Sequence, residues 1–275
     1  MRHFCYCMAP AICAVALMGC STPGFVHDML PPLYEYSASL VPGAQLGGGL
    51  NHTINEDGSI TYDHEGLRIT ARAISDAELN ERYPDISYQG RFSANPFTYG
   101  NWRDPDLGYT PTRFTVFEID VFNPVLPKVE VFPSQAVLRT NRAEEYTFFS
   151  VNLEESDNSF EEYYTFMRGP GGNEQYRFDQ RMGIVREQLY RPDHRVFKGG
   201  DYSGYLVFGP LEEGVASAEL RFEGMAIQFD EADNPSRRMD VSFGFDLRTE
   251  KRQLQGKEAR RARRRDWVLP RSARQ

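Results

Sequence analysis

Beyond Cys20 this chain of 275 residues contains no cysteine; all four (Cys5, Cys7, Cys13 and Cys20) stand at its start. The rest of the chain therefore has no thiol for a disulfide, a zinc site or nucleophilic catalysis. The 256 residues from Cys20 onward must be stabilised by their core, which is feasible because a body of this size buries most of its unfolded surface. A segment fit to cross a bilayer is also missing. The apolar stretch from Phe4 to Met18 is 15 residues long with Pro10 inside it, against the ~20 a spanning helix needs. No internal repeat is apparent.

The common catalytic signatures are absent as well. Ser203 lies in Gly200-Asp201-Tyr202-Ser203-Gly204, which has the wrong spacing for a Gly-x-Ser-x-Gly elbow and precedes a predicted strand rather than a helix. Gly47-Gly48-Gly49 and Gly169-Pro170-Gly171-Gly172 lack the lysine and following helix of a phosphate loop. His64 is followed by Glu65, but no histidine stands four residues further on, as the zinc-protease helix would require. No cofactor is implied.

What is there begins at the N-terminus. Arg2, the apolar stretch to Met18 and then small residues follow the order of a secretory signal. Leu17-Met18-Gly19-Cys20 resembles the lipobox of bacterial lipoproteins. The resemblance implies that residues 1–19 are removed and that Cys20 is diacylated on sulfur, becomes the first residue and is acylated on its amine. A single acyl chain, at ~0.8 kcal/mol per buried CH₂, anchors marginally, whereas two or three on one residue make attachment lasting. An ordinary cleaved signal is the rival, since Met18 is a less usual occupant of its position. Ser21, rather than Asp, after the cysteine is by resemblance to sorting rules compatible with the outer membrane, with the protein facing the periplasm.

After the signal, residues 20–51 read as a lipidated cysteine and flexible tether punctuated by Pro23, Pro31, Pro32, Pro42 and the triple glycine. Asp57-Gly58, between Ile54 and Ile60, signals a two-residue hairpin. Leu67, Ile69, Ala71 and Ala73 alternate with Arg68, Thr70 and Arg72 as a strand. Ser75-Asp76-Ala77-Glu78 is a capping box for a short helix that Pro84 stops. Strands are predicted over 114–122, 128–132, 135–139, 204–208, 218–229 and 239–247. Within 218–229 the apolar parity slips at Glu223-Gly224, which a β-bulge there would correct. Phe178, Met182, Val185 and Leu189 recur at helical spacing, predicting an amphipathic helix over 179–190.

These patterns predict a mainly β fold, a β-sandwich over residues 52–249 decorated by two short helices. The stretch from Phe114 to Leu247, with Tyr202-Ser203-Gly204-Tyr205-Leu206-Val207-Phe208 as a late core strand, looks like the Ig-like domains of bacterial lipoproteins. Residues 250–275 read as a basic tail. Residues 251–275 carry ten Lys/Arg against two Asp/Glu, a net of +8, while residues 20–250 carry 20 basic against 37 acidic residues, a net of −17.

Four groups of residues can carry chemistry. His52 and His64 can meet across the hairpin and, with Asp63, hold a metal; solvent-facing histidines are the alternative. Glu118 and Asp120, with Asp104 and Asp106 nearby, can serve glycoside hydrolysis at separations of ~5 or ~7–9 Å, or bind Ca²⁺. Pairing with Arg68 and Arg72 across strands is the simpler reading. The 29 residues 84–112 lack periodicity yet carry Tyr88, Phe92, Phe97, Tyr99, Trp102 and Tyr109, so they form either a partner-binding loop or a cover over an open end of the sandwich. Arg260, Arg261, Arg263, Arg264 and Arg265 can contact an anionic lipid surface or remain solvated; envelope targeting argues against nucleic acid. The expectation is a membrane-anchored, non-catalytic envelope lipoprotein that binds a protein or glycan partner, with an envelope hydrolase using surface carboxylates as the alternative.

Overall fold

The computed structural model describes residues 31–43, 51–166, 172–192 and 194–267. The signal sequence, the lipidation expectation at Cys20, the Gly47–Gly49 run and the side chain of Arg265 lie outside the described residues. Chain order starts with β1 (Tyr34–Pro42), β2 (His52–Ile54), β3 (Ile60–His64) and β4 (Leu67–Ile74), then α1 (Asp76–Arg82) and α2 (Pro84–Ser87). Next come β5 (Thr115–Asn123), β6 (Lys128–Glu130), β7 (Ala136–Thr140), β8 (Glu145–Thr147), β9 (Phe149–Ser150) and β10 (Asn158–Ser159). Helices α3 (Phe160–Phe166) and α4 (Gly172–Gln188), strands β11 (Arg195–Phe197), β12 (Gly200–Phe208), β13 (Ser217–Phe229) and β14 (Pro235–Gln253), and helix α5 (Gly256–Trp267) complete it.

The fold is mainly β, with antiparallel sheets arranged as a sandwich. One sheet has the order β12-β5-β4-β3-β2; the other runs β1-β14-β13-β6-β11, with β7 on β13 and β8 on β7. Alternation explains the packing. Phe117, Ile119 and Val121 of β5 are buried, as are Val241, Phe243 and Phe245 of β14, and the Phe117 and Phe245 rings meet at 5.1 Å. The expected bulge is present: the β13–β14 register shifts between Phe222 and Met225. Gly224 takes φ +66 there, which a residue without Cβ adopts freely. Leu220, Phe222, Met225 and Ile227 consequently share one buried side.

Both expected helices are present, and three more accompany them among the described residues. Ser75 caps α1 by accepting from the Glu78 amide at 3.3 Å. The four apolar residues of α4 and its end, Phe178, Met182, Val185 and Leu189, are buried as their spacing requires.

Three boundaries differ from expectation. The tether does not run to residue 51, because Tyr34–Pro42 pairs along its whole length with β14, Tyr34 opposite Gln253 and Pro42 opposite Phe245; the compact unit begins at Leu33. The sandwich does not stop at 249, since β14 continues to Gln253, and much of the basic tail is the helix α5. The 52–64 hairpin closes through a longer loop than two residues. The Asn55 amide donates to the Ser59 carbonyl at 2.9 Å, and Asp57 Oδ1 accepts from the Ser59 amide at 3.0 Å.

Candidate functional site

A cleft of about 550 Å³ opens where the two sheets part. One wall consists of three cross-strand pairs of β1 and β14: Tyr36 opposite Lys251, Ala38 opposite Thr249 and Leu40 opposite Leu247. Residues two apart on a strand share a face, so these six side chains form one surface. The other wall comes from Ile74 and Asp76 at the β4–α1 junction and from Phe114 and Val116 at the start of β5. The β12–β13 loop closes one side with Glu212 and Glu213.

The mouth is aromatic and charged. Tyr36 and Tyr109 lie with ring centroids 4.7 Å apart. The Lys251 ammonium sits 4.7 Å from the centroids of Tyr34 and Tyr109 alike, a cation–π position. The Tyr34 amide donates to the Gly108 carbonyl at 2.8 Å, which fixes Tyr109 against β1. Asp76 occupies the first turn of α1 on the inner wall. Burial pushes its carboxyl up to about 7, against the pull of the Arg113 guanidinium. Burial also raises the Tyr36 phenol, reinforced by Tyr109, Glu213 and Asp76. A carboxyl with a raised pKa, an aromatic pair and two further carboxylates thus face a cavity of the size range that small ligands occupy.

Tyr109 is the member of the 84–112 aromatics that lines this cleft. Phe97 is fully buried, edge-on to Tyr205 at 5.5 Å and Phe160 at 6.0 Å, and so belongs to the core. Tyr99 and Trp102 pack on each other at 5.4 Å, and Tyr99 lies 4.2 Å from the buried Arg113 guanidinium. Phe92 is held between Arg91 and Arg177. Tyr88 is the exposed one, at 53%. The segment is therefore a built cover and not a loop presenting six free aromatics. Asn95 locks it by donating to the Leu79 carbonyl at 3.1 Å and the Ser87 hydroxyl at 2.9 Å. At Gly100, with φ +63, a Cβ would lie 1.9 Å from the Ser87 carbonyl oxygen.

The other sequence candidates separate. His52 stands opposite Tyr62, and His64 opposite Leu67. His52 Nε2 hydrogen-bonds the Ser242 carbonyl at 2.8 Å, while His64 lies 3.7 Å from Glu65. No group of three or more His, Asp or Glu among the described residues can hold a metal, so the histidine–Asp63 site does not form. The interposed Tyr62 explains why, packing at 5.0 Å from His52 and 6.2 Å from His64.

Glu118 accepts from Arg72 at 2.6 Å and from Arg82 at 3.2 Å, and Glu78 joins both arginines at 2.9 and 2.7 Å. Burial alone would raise Glu118, but Arg82 and Arg72 overcome it and hold the group low. Asp120 moves the other way, through burial and then the nearby Asp201 and Glu118 charges, with Arg68 opposing. Arg68 itself lies 4.6 Å over the Phe122 ring. Asp104 folds back on its own turn, accepting from the Asp106 and Leu107 amides at 2.8 and 3.1 Å. Glu118 thus serves cross-strand pairing and Asp104 turn closure.

The buried arginines were not signalled by any pattern. Arg113 donates to the Thr98 and Asn95 carbonyls at 3.1 and 3.3 Å, and Arg181 to the Ser93 carbonyl at 2.7 Å. Asp76 was legible only as a capping-box residue, because nothing local shows that β1 will cross above it. Compared with known proteins, the chain matches no family model, no curated protein and no solved structure.

Proposed function

We propose that this chain is a cell-envelope lipoprotein, anchored through acylated Cys20 in the outer membrane and facing the periplasm, whose sandwich, read as Ig-like, binds a protein or glycan partner without chemical turnover. The observation that carries the binding role is the cleft with its mouth of paired Tyr36 and Tyr109 rings, tilted 36° to each other. Paired tyrosines offer an apolar face with a polar edge, suited to sugar rings or an inserted side chain. The salt-bridged state of Glu118 also favours binding over hydrolysis by that face, since a catalytic acid needs a convergent pocket and a raised pKa, whereas Arg82 and Arg72 hold Glu118 low.

The test is crosslinking in intact cells from a photoreactive residue placed at Thr249, on the cleft wall, followed by identification of what is captured. A defined species should be captured, and Tyr36→Ala should reduce that capture about tenfold, the loss of one well-packed aromatic contact of ~1.4 kcal/mol. Capture that is unchanged by Tyr36→Ala and Tyr109→Ala would sink the cleft as the binding place. Retention of Cys20→Ser at normal mature size in the membrane fraction would sink the anchor.

A hydrolase remains the second reading because Asp76, with Glu212 and Glu213, faces the same cleft, and a carboxyl titrating near 7 is suited to proton transfer. Turnover of an envelope glycan that Asp76→Asn abolishes, with the fold intact, would decide in its favour.

A further inference from the structure

Helix α5 carries Lys257, Arg260, Arg261 and Arg264 at spacings of three, one and three. Those are the i, i+3, i+4 and i+7 positions of one helical face. All four residues are exposed, while Ala259, on the opposite side, is buried. None of the four forms a salt bridge among the described residues, although the body they belong to is strongly acidic. The helix is also seated. Arg252 donates to Glu258 Oε2 at 2.8 Å and to Glu35 Oε2 at 2.7 Å, tying the first turn of α5 to β14 and β1.

The position of this stripe in the chain gives it meaning. The Leu254 amide donates to the Leu33 carbonyl at 2.8 Å, so the residue that precedes β1 stands beside the residue that follows β14, two positions before α5. Only twelve residues, 21–32, separate Cys20 from Leu33. Fully extended, that length spans at most ~45 Å. An anchor at Cys20 therefore keeps the basic face within reach of the bilayer that holds it. At such short range the second contact is effectively intramolecular.

We propose that Lys257, Arg260, Arg261 and Arg264 form a second, electrostatic contact with anionic headgroups of the membrane in which Cys20 is anchored. This rests on the lipoprotein reading and adds to it a fixed orientation: the end of the sandwich where β1 begins and β14 ends faces the bilayer. Tyr36 and Lys251, at the cleft mouth, are two residue pairs further along the same ladder. The occupant is lipid because a dense stripe of exposed cations without an apolar centre suits a screened, diffuse anionic surface better than a packed protein interface.

The experiment uses the full chain with Cys20→Ser and vesicles of phosphatidylglycerol and phosphatidylcholine at 1:2. Pure phosphatidylcholine vesicles measure the floor set by the N-terminal apolar segment. Above that floor, each neutralisation among Lys257→Gln, Arg260→Gln, Arg261→Gln and Arg264→Gln should weaken binding about fivefold, and raising salt from 0.05 to 0.5 M should abolish the excess. Binding of the quadruple variant equal to that of the parent, or salt-independent binding, would overturn the proposal. So would a quadruple variant that loses self-association in sedimentation while keeping vesicle binding, because the stripe would then serve a second copy of this chain. Mass spectrometry of the unsubstituted protein for acylation at Cys20 tests the anchor separately, so failure of the anchor and failure of the stripe are distinguishable.

Discussion

Two acidic regions flank the β4–β5 pair and are tuned in opposite directions. On the outer side of the five-stranded sheet, Glu118 and Glu78 meet Arg72 and Arg82 in a closed network. In the cleft, Asp76 sits among Ile74, Phe114 and Val116, with the charge of Arg113 opposing its burial only in part. Desolvation acts on both acids; bonded guanidiniums decide the outcome at one and burial decides it at the other. Carboxylate content alone therefore says little about function in this chain, whereas the identity of the nearest cation says much.

The sharpest test removes the packing on which both regions depend. Phe243→Ala or Phe245→Ala should cost ~3–5 kcal/mol in denaturant unfolding, because both rings are fully buried between the sheets. Losses below ~1 kcal/mol for both would mean the sandwich interior is misassigned.

Asp76→Asn probes the cleft side. A carboxyl raised in the folded state contributes stability that is complete below its unfolded pKa of ~3.9 and is lost as pH rises through about 7. The variant should thus be more stable than the parent at pH 8, by ~2 kcal/mol, about half the full linkage because the cleft admits solvent. The two unfolding curves should converge near pH 4. Equal stability at pH 8 would show that the Asp76 carboxylate is well solvated.

Glu118→Gln probes the paired side, with the opposite sign. A depressed carboxyl stabilises above its unfolded pKa of ~4.3, and that contribution fades as pH falls through its lower folded value. At pH 7 the substitution should destabilise by ~1 kcal/mol, the scale of a partly exposed ion-pair network. A stabilising effect would break the contrast between the two regions.

Much of the scaffold was legible locally. Met239 to Leu247 alternates, Phe178 to Leu189 repeats at helical spacing, and the parity slip at Glu223-Gly224 marks its bulge. Each signal arises from side-chain direction within a few residues of backbone. The candidate site was less legible. Tyr36, Ala38 and Leu40 alternate with Glu35, Ser37 and Ser39, but the flanking prolines and glycines suggested a tether. Their partners, Leu247 to Lys251, lie about two hundred residues downstream. Tyr109 stood among the expected aromatics, yet only packing separated it from Phe97, which the core absorbs.

The sequence by itself determined a cysteine-free β body behind an N-terminal segment that resembles a lipoprotein signal, with acidic charge in the body and basic charge after it. These properties follow from composition and short-range periodicity, which need no knowledge of distant neighbours. Tertiary structure alone decided that β1 crosses to β14, that this crossing makes a wall opposite Asp76, and that Leu33 meets Leu254 beside the basic helix. Pairings of that kind are settled by the burial and hydrogen bonding of the whole sandwich, and carry no local mark in either segment.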